Sequence, residues 1–166
     1  MSSGRARIIG IVNVTPDSFS DGNQFLSHEQ AIAHGRALSE AGADIVDVGG
    51  ESTRPGSIVI SVEEEIRRAI PVVRALAKDG IPVSIDTSKP EVMKQAVKSG
   101  AGLINDVRAL RESDALQVAN ETGAPVCIMH MLGEPRSMQE NPQYDDVVET
   151  VKEFLLKRIQ DCNQAG

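Results

Sequence analysis

The stretch AKDGIPVSIDTSKP, residues 77–90, contains a complete transition from one helix through a strand to the next helix. Gly80 is typical of a residue that ends a helix. The short β-branched run from Ile81 to Ile85 is typical of a buried strand. Pro90 suits the first turn of a new helix. The stretch therefore predicts a helix, a strand and a helix in close succession.

The same alternation recurs along the chain. Short β-branched runs occur as RIIGIVNV, ADIVDVGG, IPVSIDTS, AGLINDVR and APVCIMHM. Apolar residues at helical spacing predict helices over Glu29–Glu40, Val62–Lys78, Pro90–Lys98, Asp114–Thr122 and Tyr144–Asn163. Strands that alternate with longer helices are typical of an α/β protein with a parallel sheet. We predict a single domain over residues 1–166.

Polar residues end the apolar runs. In chain order they are Asn13, Asp47, Asp86, Asn105 with Asp106, and His130. The carboxyl ends of parallel strands meet at one edge of a sheet, which is where (β/α)₈ barrels carry their active sites. Each residue alone has an alternative interpretation as the start of a turn or a helix cap. Together they predict a ring of polar side chains at the mouth of a TIM barrel.

A doubly wound open sheet is the alternative architecture. Such sheets usually carry a glycine-rich phosphate turn after the first strand. The first turn here is NVTPDSFSDG, which has no G-x-G-x-x-G pattern. The pattern therefore favours a TIM (β/α)₈ barrel, here roughly the first five βα units of an incomplete barrel.

Composition limits the classes of partner. The chain has 166 residues, 25% of them charged, and a formal net charge of −7. This acidic balance argues against a nucleic-acid or membrane-surface binder, because either needs a basic face. Cys127 and Cys162 are far apart, form no metal-binding spacing and fit a reducing compartment. The apolar stretch after the opening MSSGRAR is too short for a signal peptide, so we expect a cytoplasmic protein.

Five motifs together resemble dihydropteroate synthases. They are GIVNVTPDSFSDG, GADIVDVGGESTRPG, VSIDTSKPEVM, INDV and MHMLGEPRSMQENPQYDDVV, in the family's order and from about Ile8 to the last residue. That family condenses 6-hydroxymethyl-7,8-dihydropterin diphosphate with p-aminobenzoate, giving 7,8-dihydropteroate and pyrophosphate in folate biosynthesis. The resemblance implies a transferase with a TIM-barrel fold and small-molecule substrates.

The resemblance assigns pterin binding to Asp86 and Asn105. A carboxylate accepts two N–H donors from a pyrimidine edge, and a carboxamide supplies a donor and an acceptor. Met129 and Ile104 are candidates for packing against the pterin ring, and core packing is the alternative for both. His130 and Asp106 are left open, since His130 could face either the site or the helices behind it.

The resemblance also implies Mg²⁺ at the diphosphate, with Asn13 as its ligand. One neutral oxygen ligand suits this ion, which keeps waters and phosphate oxygens as its other ligands. Thr53 corresponds to a contact on the diphosphate side and to part of the p-aminobenzoate pocket. Arg54 corresponds to a mobile cation that helps neutralise pyrophosphate, and a solvated loop arginine is the alternative.

We expect the segment from Thr15 to Gly22 to close over the diphosphate. Phe19 and Pro55 would form an apolar wall for the benzoate ring, in a pocket that sulfonamides would also occupy because they mimic p-aminobenzoate. Asp21 and Asp17 would face positive charge that develops on the pterin. The alternative is a polar surface loop. Asp47 and Glu51 are expected to shape the second loop, STRPG, through hydrogen bonds to backbone N–H groups.

The family's barrel continues for roughly three more βα units, which carry a pterin-site aspartate, a lysine and an arginine–histidine pair. Most of the family's dimer surface also lies there. We therefore expect this chain to be part of a longer polypeptide. A truncated, non-catalytic pterin-binding or structural fragment is the first alternative. A pterin-dependent methyltransferase is the second, and NVTPDSFSDG with STRPG argues against it.

Overall fold

The computed structural model describes residues 4–14, 24–52, 58–135, 137–139 and 141–166. Within these ranges, strands and helices alternate. They are β1 (Ile9–Asn13), α1 (Gln24–Glu40), β2 (Ile45–Gly49), α2 (Val62–Lys78), β3 (Val83–Asp86), α3 (Pro90–Lys98), β4 (Leu103–Asp106), α4 (Ala115–Thr122), β5 (Val126–Ile128) and α5 (Val147–Ala165). The predicted alternation of strand and helix is confirmed.

Capping residues explain why some helix ends were predicted correctly from the sequence. Helix α2 begins and ends as predicted, because the Ser61 hydroxyl accepts the Glu64 N–H at 3.2 Å and the first turn is acidic. Helix α5 starts three residues later than predicted, since Asp146 is its N-cap and accepts the Glu149 N–H at 3.0 Å. Helix α1 starts earlier, at Gln24 rather than Glu29.

The sheet is parallel and its strands are neighbours in chain order, from β1 to β5. A doubly wound sheet reverses its strand order at a switch point, whereas a barrel wall does not. The observed order is therefore that of a TIM-barrel wall, and the fold class predicted from the sequence is confirmed for these five units.

Burial differs between the two faces of the sheet. Val12, Val48, Ile85 and Ile104 occupy one register row, are at most 1% exposed and belong to the core beneath the helices. On the opposite face, at the β1 edge, Ile9 and Ile11 are 46% and 62% exposed. The helices thus cover one face, and the other face is the interior of the barrel.

None of the helices that the described residues form combines the length and the apolar character needed to cross a membrane.

Candidate active site at the carboxyl ends of the strands

One register row brings the predicted polar residues together. Reading across the sheet, the row consists of Asn13, Gly49, Asp86, Asn105 and Cys127. Residues in register in a parallel sheet point to the same face, and this row lies on the barrel-interior face. The structure therefore places Asn13, Asp86 and Asn105 side by side at the carboxyl ends of β1, β3 and β4.

Gly49 keeps the space between two of these side chains open. A Cβ atom at position 49 would lie 3.4 Å from Asn13 Oδ1 and 3.5 Å from Asp86 Oδ2. Both oxygens thus face the same gap on the interior face. Any side chain at position 49 would extend into that gap, so glycine preserves room for a ligand between Asn13 and Asp86.

Asp86 has an unusual protonation equilibrium. Burial raises the pKa of its carboxyl from 3.8 to about 7. The neighbouring carboxylates of Asp47, Glu65 and Asp106 add to the same shift, in that order. The carboxyl of Asp86 therefore changes charge near neutral pH, and positive or N–H donor groups of a ligand would favour its ionised form.

A hydrogen bond to Asp47 of β2 holds the side chain of Asn105. Its Nδ2 donates to Asp47 Oδ2 at 2.9 Å, and Asp47 is only 6% exposed. The prediction that Asp47 ends its strand is wrong, because β2 continues to Gly49. The side chain of Asp47 bonds to β4. Its predicted hydrogen bonds to the STRPG loop involve residues 53–56, which lie outside the described residues, so they stay a prediction.

Asp106 points away from the row and organises the loop after β4. It is fully buried, and its carboxylate accepts the backbone N–H groups of Arg108 and Leu110 at 2.8 and 2.7 Å. Ala109 and Leu110 both have left-handed backbone conformations, with φ of 55° and 57°. Asp106 therefore stabilises a strained turn beside the site.

Glu51 forms an ion pair with Lys89. Its predicted hydrogen bonds to the STRPG loop involve residues 53–56, which lie outside the described residues, so that role stays a prediction. Lys89 forms ion pairs with Glu51 and with Glu65, the latter at 2.5 Å. Glu65 lies on α2 and is 1% exposed. The first residues of the β2–α2 loop are thereby tied both to α2 and to the start of α3.

The open alternatives at the last two strands are now distinguished. Ile104 is fully buried in the core on the helix side, so it packs in the core. The ring of His130 packs edge-on against Phe154, with centroids 5.0 Å apart, and lies 5.9 Å from Tyr144. His130 thus faces the helix packing. Met129 is 38% exposed just after β5 and is free to contact a ligand.

A cavity of about 380 Å³ opens beside Asp86. Its walls come from the β2–α2 loop and the first turn of α2, from the β3–α3 loop and from the β4–α4 loop. Among the described residues, Asp86 lines this cavity and Asn13 and Asn105 do not. Apolar walls with a few polar groups are typical of small-molecule sites, and this volume suits one small ring system.

Six predicted site residues lie outside the described residues: Asp17, Phe19, Asp21, Thr53, Arg54 and Pro55. Among the described residues, no group of three or more His, Cys, Asp or Glu side chains forms a metal cluster. Two oxygens face the gap beside Gly49, the neutral amide Oδ1 of Asn13 and Oδ2 of Asp86. The oxygen of Asn13 fits Mg²⁺ when phosphate and water supply further ligands.

Comparison with known proteins agrees with this arrangement. The model of a family described as pterin binding enzyme matches residues 9–166. The dihydropteroate synthase of Escherichia coli strain K12 is 54% identical over 160 residues, which cover 96% of this chain and 57% of that protein. The chain thus spans little more than half the length of the curated relatives it matches.

Solved structures of dihydropteroate synthases are also similar to this chain. A Xanthomonas albilineans dihydropteroate synthase with 4-aminobenzoic acid aligns with a TM-score of 0.89 at 52% identity, over 98% of this chain and 58% of that one. A structure of the Xanthomonas albilineans enzyme in complex with 7,8-dihydropteroate aligns with a TM-score of 0.85 at 48% identity, over 100% of this chain and 58% of that one.

Proposed function

Because the chain belongs to the pterin-binding enzyme family, we propose that it forms the pterin-binding part of a dihydropteroate synthase. The reaction would join 6-hydroxymethyl-7,8-dihydropterin diphosphate to p-aminobenzoate and release pyrophosphate. Relatives of this name match almost the whole chain, and one of their structures holds 4-aminobenzoic acid. Both facts support the proposal.

The register row of Asn13, Asp86 and Asn105 is the observation that carries it. The pyrimidine edge of a pterin presents adjacent N–H donors beside an acceptor. The Asp86 carboxylate can accept two of these donors, and Asn105 adds both an acceptor and a donor. Buried polar groups of this kind reject analogues that leave them unpaired. Met129 would contact the ring face.

The diphosphate would lie toward Asn13, which would hold Mg²⁺ there. When bound, the ion neutralises charge on the leaving pyrophosphate. We assign Thr53 and Arg54 to the same region. Phe19 and Pro55 would line the p-aminobenzoate pocket together with Thr53, and sulfonamides would compete for it.

The displacement needs no protein nucleophile, since the amine of p-aminobenzoate attacks the pterin methylene carbon. Pyrophosphate leaves from a carbon on an electron-rich ring, which favours a cation-like transition state. The protein then has to hold negative charge near that carbon and exclude water. We assign the first task to Asp21 and Asp17.

Pyrophosphate release tests the proposal. The assay compares the chain by itself with a chimera that adds the part of the Escherichia coli relative not covered by the match. We expect release from the chimera that depends on both substrates and is abolished by Asp86→Ala. A chimera that folds, binds pterin and releases no pyrophosphate would contradict the synthase and favour the alternative, a non-catalytic pterin-binding fragment.

A further inference from the structure

We infer that Asp47 is a positioning residue, which fixes the carboxamide of Asn105 with Nδ2 toward the barrel floor and Oδ1 toward the pterin site. The inference rests on the proposed function and adds a residue that does not itself touch the ligand in our account. It is carried by the hydrogen bond between the two side chains and by the burial of Asp47 at the floor of the site.

The bond determines which end of the Asn105 amide faces the ligand. Asn105 Nδ2 donates to Asp47 Oδ2 at 2.9 Å, from a row that also holds Asp86. Asp47 lies one row deeper, in register with Ile11 and Ser84. Since the Nδ2 atom is turned toward Asp47, the Oδ1 atom lies on the other side of the amide. Oδ1 is thus presented away from the barrel floor.

A carboxylate at position 47 imposes this choice, whereas other polar residues would not. An ionised carboxylate only accepts hydrogen bonds, so it can hold the NH₂ end of a neighbouring amide but never the carbonyl end. An asparagine at position 47 has both a donor and an acceptor and would hold either end. The two orientations of Asn105 have almost the same shape, and packing alone separates them poorly.

The carboxylate of Asp47 also carries an energetic cost, which indicates a functional role. Asp47 Oδ1 is buried and has no hydrogen-bond partner among the residues that the structure describes. Buried polar atoms normally have a partner, and exceptions concentrate at functional sites. A purely structural position on this sheet would be served better by an apolar residue. The need to orient the amide of Asn105 explains a carboxylate at this position.

The test is Asp47→Asn, with Ser84→Ala as the matched control. Ser84 lies in register with Asp47, is fully buried, and its hydroxyl has no partner among the described residues. Binding of 6-hydroxymethylpterin is measured by calorimetry. We expect Asp47→Asn to weaken binding at least tenfold and Ser84→Ala to stay within twofold. Equal affinity of Asp47→Asn and the unsubstituted chain would overturn the inference.

A second readout needs no ligand and separates this inference from the proposed function. In the free, unsubstituted chain we expect a scalar coupling across the hydrogen bond between Asn105 ¹⁵Nδ2 and Asp47 ¹³Cγ. Its absence would overturn the inference, even if Asp47→Asn fails to fold. An unsubstituted chain that shows the coupling and binds no pterin would contradict the proposed function while the orientation of Asn105 stands.

Discussion

Asp86 illustrates at the scale of one residue how a binding site lowers stability. Burial, and to a smaller extent the negative charges of Asp47, Glu65 and Asp106, raise the pKa of its carboxyl from 3.8 to about 7. Between these two values the unfolded chain has lost the Asp86 proton while the folded chain keeps it. The free energy of unfolding therefore falls as pH rises from about 4 to about 7, and this penalty persists above pH 7.

We predict that Asp86→Asn stabilises the fold at high pH and destroys pterin binding. The amide removes the buried charge, so the free energy of unfolding at pH 8 should rise by on the order of 2–4 kcal/mol. At pH 4.5 most of this gain should vanish, because Asp86 is then protonated in the folded chain. Urea unfolding at both pH values measures the difference.

The control for this prediction is Asp145→Asn, which removes an exposed carboxylate. It should change the free energy of unfolding by less than about 0.5 kcal/mol at either pH. A gain for Asp86→Asn of the same size at both pH values would show that the charge of Asp86 is not the cause.

Some site residues could be predicted from the sequence alone, and others could not. Asp86 and Asn105 could be found because each ends an apolar run inside a motif. The bond from Asn105 to Asp47 was not predicted, because Asp47 was expected to end its strand, whereas β2 continues to Gly49. The alternation in IVDVG contained the correct signal, since it puts Val46 and Val48 on one face and Asp47 on the other.

At the scale of elements, Lys89 connects the β2–α2 loop to two helices. Its ammonium lies between Glu51 at the root of that loop and the buried Glu65 of α2. Arg68 of α2 adds a bond to the carbonyl oxygen of Gly50 at 3.2 Å. The loop root is thus anchored from the side of α2 and from the N-cap of α3. Of the residues that follow it, Thr53 and Pro55 are assigned to the p-aminobenzoate pocket.

We predict that Lys89→Met weakens use of p-aminobenzoate more than it weakens pterin binding. Removal of the cation leaves Glu65 as a buried, unpaired charge, which is costly, and frees the loop root. In the chimera, the KM for p-aminobenzoate should rise about tenfold. The dissociation constant for pterin should change by no more than a factor of about two, which corresponds to about 0.4 kcal/mol of binding free energy. Steady-state kinetics and calorimetry give the two numbers.

Two further variants make this prediction specific. Lys89→Arg retains a cation and should recover most of the lost affinity. Lys94→Met removes an exposed lysine from α3 itself and should have no effect on either constant. An equal loss of pterin and p-aminobenzoate affinity in Lys89→Met would indicate a general loss of folding rather than a displaced loop.

The bounds of a helix could be predicted where capping residues or prolines define its ends in the sequence. Helices α2 and α3 have the predicted bounds because a serine cap and a proline define their first turns. The tie between Lys89 and Glu65 could not be predicted, since it joins residues 24 positions apart that only the packed structure brings together. The same holds for Arg158 of α5, which donates to the carbonyl oxygens of Ala109 and Leu110.

At the scale of the whole molecule, the chain is a barrel wall whose interior face is uncovered at its first strand. Ile9 and Ile11 are exposed there, and Val148 and Leu156 of α5 are 71% and 57% exposed. In a complete (β/α)₈ barrel, surfaces of this kind are covered by the remaining βα units. The consecutive strand order followed from the sequence pattern. The difference in burial between the interior and exterior faces could not be predicted, because it depends on how the helices pack on the sheet.

The central claim is that polar side chains at successive strand ends converge on one pterin. An NMR titration of the ¹⁵N-labelled chain with 6-hydroxymethylpterin tests this claim most directly, because it maps even weak binding residue by residue. We predict saturable shifts of the backbone amides at Asn13, Asp86, Asn105 and Met129. Amides at the opposite ends of the strands, such as those of Ile45, Val83 and Leu103, should remain unchanged. Shifts confined to those opposite ends, or no saturable shifts at all, would contradict the account.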